Sequence, residues 1–202
     1  HINMYYFCFI LACDLVIFTI KSWKLHVLVV QRGVEPYHWM RCLPWGFVSE
    51  NEDCETCAHR VLYKETSLYC RYLQLSSVQS QPHRDPRWRN VSIVYYTIIS
   101  SENITPQEGN NQLWAMFMPL DILPQLWFDH EHIIKNSFEQ LKKDLQWSDT
   151  IRYFLPKHFP LALLKEVCQI IYRRSFEKRN FNKFIKYRFK IIKTKYKERW
   201  VN

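Results

Sequence analysis

Two apolar runs rich in β-branched residues, DLVIFTI from Asp14 and KLHVLVV from Lys24, flank Lys21-Ser22-Trp23. The pattern predicts a β-hairpin, although the Asn-Gly or Asp-Gly pair that favours a two-residue turn is missing. QRGVEPYHWMRCLPW follows as a loop, punctuated by Gly33 and Pro36. Residues 51–66 have helical spacing, with Cys54, Cys57, Ala58, Val61, Leu62 and Glu65 along one stripe. Strands are expected at 72–78 and 91–99, separated by the polar loop QSQPHRDPRWRN. SSENITPQEGNN leads into the short apolar run LWAMF. Then comes FDHEHIIKNSFEQLKKDLQW, a helix by its stripe of Ile134, Phe138 and Leu141, with Asp129 placed to cap its start. Strands with one internal helix and one closing helix make an α/β sandwich.

Past residue 147 the character changes. Pro156 and Pro160 divide the remainder into a turn around IRYFL and two helices, LALLKEVCQIIY and FEKRNFNKFIKYRF. Arg173-Arg174-Ser175 is the tight connection between them. Two helices joined by a short turn, the second rich in Lys, Arg and Asn, have the layout of a helix-turn-helix reading head. IIKTKY is placed to begin the β-wing that often follows. The class is therefore α+β: a sandwich over 1–147 and a smaller helical unit over 148–202.

Charge sharpens this division. Of 28 Lys and Arg and 19 Asp and Glu, fifteen basic and only three acidic residues fall in 150–202. The first 149 residues are mildly acidic, so a polyanion partner for the C-terminal unit is expected, a solvated lysine-rich helix being the alternative. Seven cysteines without framework spacing point to a reducing, cytoplasmic setting, and the lone Cys54-Glu-Thr-Cys57 reads as packing. HINMYYFCFILAC has no basic leader, and Asp14 interrupts it before about 20 apolar residues accumulate, so neither a signal peptide nor a membrane span is expected. The first residue is His1 rather than Met, compatible with a piece of a longer chain. Glycine is scarce, three residues where a usage of about 7% would give about fourteen.

One stretch carries candidate chemistry. Gly46, Glu52, Arg60, Leu62, Glu65, Thr66 and Leu68 resemble the Nudix box in spacing. That family's pattern is a Gly, five residues, a Glu, seven residues, then Arg-Glu-aliphatic-x-Glu-Glu-x-Gly-aliphatic. Glutamates one helical turn apart project together and bind a divalent ion, which bridges a diphosphate and activates water. Further landmarks, RDPRWRNVSIVYY, WFDH, LLKEVCQIIY and FEKRNF, are similar to the Nudix-related transcription regulators of NAD metabolism, over about 14–194. The resemblance implies a Nudix-like α/β/α sandwich followed by a winged helix-turn-helix domain, here with a wing expected to be truncated. It also implies a homodimer that binds double-stranded DNA and responds to an ADP-ribose-like nucleotide or, in related regulators, a sugar such as arabinose.

The departures bear on activity. Val61 stands at the first metal-binding Glu position and Lys64 at the next, leaving Glu65 as a vestige. Repulsion between the Lys64 ammonium and a unit positive charge ~4 Å away is about 4 kcal/mol at an effective dielectric of ~20. No catalytic residues, bound metal or cofactor are therefore expected, the alternative being an active hydrolase of the ADP-ribose pyrophosphatase kind and a third reading a scaffold or remnant. Glu52 and Arg60, which pair in the family to brace the loop, are both kept. Trp45, Ser67 and Trp88 stand where the family has Gly, and Trp23 where a hairpin Gly is usual, so strain is expected wherever φ must be positive.

Candidate ligand-binding residues are Arg84 and Arg87, either a phosphate-contacting pair or part of a self-bridged turn, with Trp39 (beside Tyr37 and His38) and Arg41. Candidate DNA-binding residues are Arg173 and Arg174 in the turn and Lys178, Arg179, Asn180, Lys183 and Lys186 on the last helix. Phe181 and Phe184 are expected to anchor that helix from its inner face. The resulting expectation is a ligand-responsive DNA-binding transcription regulator with a catalytically degenerate Nudix domain.

Overall fold

A computed structural model describes residues 9–35, 37–67, 69–100, 112–189, 191–193 and 198–200. Its centre is β1 (Ile10–Lys21), paired antiparallel with β2 (Lys24–Arg32) and parallel with β6 (Asn90–Ile98). β3 (Arg41–Cys42) and β7 (Gln112–Pro119) extend the sheet from β2, β4 (Trp45–Phe47) pairs with β1, and β5 (Leu73–Gln79) closes the other side against β6. A strand covered on both faces reads as a continuous apolar run rather than an alternation, which is why DLVIFTI is so apolar. Cys13, Leu15 and Ile17 face one layer, Val16, Phe18 and Ile20 the other.

The first layer is α1 (Cys54–Thr66), whose Cys57, Ala58, Val61 and Leu62 pack on Leu15, Ile17 and Leu28. The expected start at 51 moves to Cys54 because Asp53 is the cap, its carboxylate accepting from the Thr56 N–H at 2.7 Å. The second layer is α2 (His130–Trp147), burying Ile133, Ile134, Phe138, Leu141 and Leu145. The expected α/β/α sandwich is therefore present. Asp129 stands at the N-cap of α2 but makes no side-chain cap; its carboxylate is taken by Arg84 instead.

The missing glycines have two outcomes. Ser22 (φ 49°) and Trp23 (φ 60°) make the hairpin turn, and Ser67 (φ 56°) ends α1, all in the left-handed region that costs an L-residue about 1–2 kcal/mol each. Trp45 is different: it lies in β4, outside the residues with positive φ, and the strain expected there does not arise.

Beyond α2, a 3₁₀ turn at Thr150–Phe154 leads through β8 (His158–Phe159) to α3 (Leu161–Tyr172) and α4 (Lys178–Arg188). β9 (Ile191–Lys193) and β10 (Glu198–Trp200) form a small antiparallel sheet with β8 in the order β8-β10-β9, while 194–197 of the expected wing lie outside the described residues. The apolar cluster on the α2 face continues through Leu145, Ile151 and Phe154 into Leu164, Ile171 and Phe181. The Tyr172 hydroxyl donates to the Leu145 carbonyl at 3.0 Å, and Tyr72 stacks on Tyr153 with centroids 4.9 Å apart. Among the described residues, no helix is long and apolar enough to cross a membrane.

Candidate functional site

The turn between β4 and α1 is braced by a side-chain ion pair. Arg60 donates from Nε to Glu52 at 2.8 Å, contacts the same carboxylate through Nη2, and reaches the Phe47 carbonyl at 2.8 Å. The Ser49 N–H donates to Glu52 at 2.8 Å. The Arg60 hydrogen bond, helped by Ser49, holds the Glu52 carboxyl down to about 2. The pairing read from the spacing is therefore present, and it fixes the floor of a cavity.

That cavity has a volume of about 500 Å³ and is bounded by Arg32 from β2, Trp45 and Phe47 from β4, Lys64 from α1, and Arg87 and Trp88 from the loop before β6, with Glu35 the one carboxylate among its described lining. Cationic and aromatic side chains together suit an anionic ligand carrying a flat ring. Of the expected ligand residues, only Arg87 lines it. Asp85 takes the Arg87 Nε at 2.9 Å and Nη2 at 2.7 Å, so the turn is self-bridged and also faces the cavity. Arg32 and Trp45 were missed from the sequence: one is simply the end of β2, and the other was read only as a lost glycine.

Arg84 requires correction as a ligand residue. Its side chain is 6% exposed, and all three guanidinium nitrogens are engaged: Nε and Nη2 on Asp129 at 2.8 and 2.7 Å, Nη2 also on Asp14 at 3.1 Å, and Nη1 on Asn90 at 3.1 Å. It is a strut between β1, β6 and the start of α2. Trp39 and Arg41 also lie off the cavity. Trp39 is exposed and packs edge-on against His38, while the Arg41 guanidinium lies 6.0 Å from the Trp114 ring; the loop before β3 reaches the cavity through Val34 and Glu35 instead. Tyr37 takes the packing alternative, 4.6 Å from Trp127.

The family implied by the box carries a divalent ion, and the residues present do not fit one. Val61 is 2% exposed and packed among apolar side chains, so it offers no ligand atom. Lys64 lines the cavity and would repel the ion. No group of three or more His, Cys, Asp and Glu suited to a metal occurs among the described residues; the Glu65 side chain lies outside them. Nearby, buried His130 accepts the Leu43 N–H at Nδ1 (2.9 Å), which requires that nitrogen to be unprotonated. Burial pushes its pKa down, and the Nε2 side faces Asp14 at 3.7 Å.

A second surface lies on α4. Phe181 and Ile185 are buried, and Phe184 packs partly beneath them with Phe176 and Phe189. Lys178, Arg179, Asn180, Lys183 and Lys186 are exposed to solvent, as the amphipathic spacing requires. The two arginines of the turn are partly committed to the protein. Arg173, at φ 49°, reaches Asp121 at 3.2 Å and lies 5.5 Å from the Phe138 ring, and Arg174 lies 4.5 Å from Phe176.

Comparison with known proteins gives a consistent picture. The family profile described as NUDIX domain matches residues 14–137. The ADPR responsive transcriptional repressor NtrR of Acinetobacter baylyi is 25% identical over 181 residues, covering 86% of this chain and 71% of that protein. An ADP-ribose pyrophosphatase of Methanocaldococcus jannaschii is 36% identical over 110 residues, covering 54% of this chain and 64% of that protein. Among solved structures, NrtR of Shewanella oneidensis has a TM-score of 0.80 at 23% identity, covering 95% of this chain and 93% of that one. That protein has also been solved with a 27mer DNA, where the TM-score is 0.79 at 22% identity, covering 94% and 92%. Its NUDIX domain, solved with ADP ribose, has a TM-score of 0.62 at 29% identity, covering 67% and 90%.

Proposed function

The chain belongs to the Nudix family, and from that premise we propose that it is a ligand-responsive DNA-binding transcription regulator. Residues 1–147 act as the sensing unit and 148–202 as a winged-helix DNA-binding unit, working as a homodimer on double-stranded DNA. The observation that carries this reading is α4. Six described Lys, Arg and Asn side chains, Asn182 among them, face solvent on a helix whose opposite face is anchored in the core shared with the sensing unit. Cations on such a helix neutralise phosphates, while Arg and Asn also read base edges. The Acinetobacter repressor, described as ADPR responsive, supports an ADP-ribose-like effector, with a sugar as the alternative. Regulation then requires only that the effector bind the DNA-competent and DNA-incompetent arrangements with different affinities.

The test is direct. Duplexes selected by the full chain from a random pool are titrated with protein, with and without ADP-ribose. Specific binding is expected, changed by ADP-ribose and lost when Lys178, Lys183 and Lys186 are replaced by Glu. Equal binding by that variant overturns the reading.

The pyrophosphatase relative favours a second reading, a hydrolase acting on ADP-ribose. The apolar Val61 and the cationic Lys64 weigh against it, because neither can hold the metal that would activate water. AMP release from ADP-ribose with millimolar Mg²⁺ or Mn²⁺, at a typical ~10 s⁻¹, would place hydrolysis first.

A further inference from the structure

Two guanidiniums share one indole in the cavity. Arg32 lies 5.7 Å and Arg87 5.4 Å from the Trp45 ring centroid. Burial lowers the pKa of Arg32 and the positive charge of Arg87 adds to that, while Cys42, Asp85 and Glu35 act in the opposite direction. Like charges held together in a partly dry wall gain from an anion placed against them. Lys64 faces the same space from α1, and its ammonium forms no ion pair among the described residues. Beside it the buried Val61 presents only methyl surface.

We propose that this cavity is a metal-independent seat for a diphosphate, with Lys64, Arg32 and Arg87 supplying the positive charge that a divalent ion would otherwise bring. The inference rests on reading the cavity as the effector site. Asp85 occupies Nε and Nη2 of Arg87, and Nη1 has no described partner, so one edge of that guanidinium remains for the ligand. Arginine offers a planar fork to phosphate oxygens and lysine a movable point charge, so the set tolerates a flexible diphosphate. Trp45 and Trp88 supply apolar faces for the groups attached to it. A divalent ion entering the seat meets Lys64, so added metal opposes binding rather than assisting it.

Calorimetric binding of ADP-ribose and of inorganic pyrophosphate to the full chain, in EDTA and in millimolar Mg²⁺, tests this. Both are expected to bind in EDTA, each displacing the other, and Mg²⁺ is expected to weaken both. Lys64 is exposed, so Lys64→Ala should leave the thermal unfolding curve in place while weakening binding about tenfold or more. Lys64→Glu should bind appreciably only when Mg²⁺ is present. Loss of binding in EDTA, or parental affinity in Lys64→Ala, overturns the proposal. If ADP-ribose binds only with Mg²⁺ and still changes DNA binding, the seat is wrong and the regulator reading stands. If pyrophosphate binds in EDTA through Lys64 and ADP-ribose does not bind, the seat stands and the ADP-ribose effector falls. If neither binds, the proposal is overturned.

Discussion

Arg84 and Asp129, 45 positions apart in the chain, close a two-pronged ion pair at 2.7 and 2.8 Å. This pair carries the N-terminus of α2 onto the end of the sheet where β1 and β6 run parallel, and the same guanidinium reaches buried Asp14. Replacing Arg84 by Ala leaves the Asp14 carboxylate without its cation, at a cost of about 3–5 kcal/mol. Urea unfolding of the full chain should show that loss, while the ligand affinity of the folded fraction stays as in the parent. Unchanged stability with lost ligand binding would restore the ligand role that the sequence suggested for Arg84.

His130 makes folding pH-dependent in a defined direction. Its folded pKa lies below the ordinary 6.5, so as pH falls past 6.5 the unfolded chain takes up a proton that the folded chain refuses. Stability is therefore full above that value and declines below it, by up to about 1.4 kcal/mol per pH unit until the folded group titrates. His130→Asn keeps an acceptor for the Leu43 N–H and removes the titration. Denaturant unfolding at pH 7.5 and 5.5 should show a larger drop for the parent than for this variant, and equal drops would remove His130 as the cause.

Gly46 is required by contact rather than by backbone conformation. A Cβ there would lie 2.6 Å from the Val61 Cγ2, and Val61 is held in place by the packing of α1 on the sheet. Gly46→Ala is expected to destabilise by about 1–3 kcal/mol through overpacking. Adding Val61→Ala should recover part of that loss, a non-additivity measurable in a double-mutant cycle. The same packing argues against simple repair of the box, since Val61→Glu places a carboxylate in an apolar layer.

On α4 the exposed residues should separate by role. Arg179→Ala or Asn180→Ala should reduce discrimination between DNA sequences by about 1–3 kcal/mol if the side chain makes a bidentate base contact. Lys186→Ala should weaken binding to all sequences alike and flatten the salt dependence by about 0.9 in log–log slope. Arg173→Ala should matter less for affinity, because Asp121 and Phe138 already hold that side chain. An unchanged salt slope in Lys186→Ala assigns that residue to solvent.

By itself, the order of residues determined a good deal here. The apolar runs from Asp14 and Lys24, the stripe on α1 and the stripe of Ile134, Phe138 and Leu141 specify strands and helices, because burial of one face or two imposes a period that survives in a linear string. The spacing from Glu52 to Arg60 determined a brace, since its partners lie on adjoining turn and helix. The charge imbalance after residue 149 and the phenylalanines of the last helix likewise marked out an exposed basic face. What the string did not carry was which cation faces which neighbour. Arg84 and Arg87 are three positions apart and look alike, yet one is buried among Asp14, Asn90 and Asp129 and the other borders the cavity. Arg32 and Trp45 meet only because β2 and β4 pair along the same edge of β1, opposite β6. A guanidinium's role depends on the dielectric and the carboxylates around it, and chain segments far apart in sequence supply both, so only the tertiary structure decided it.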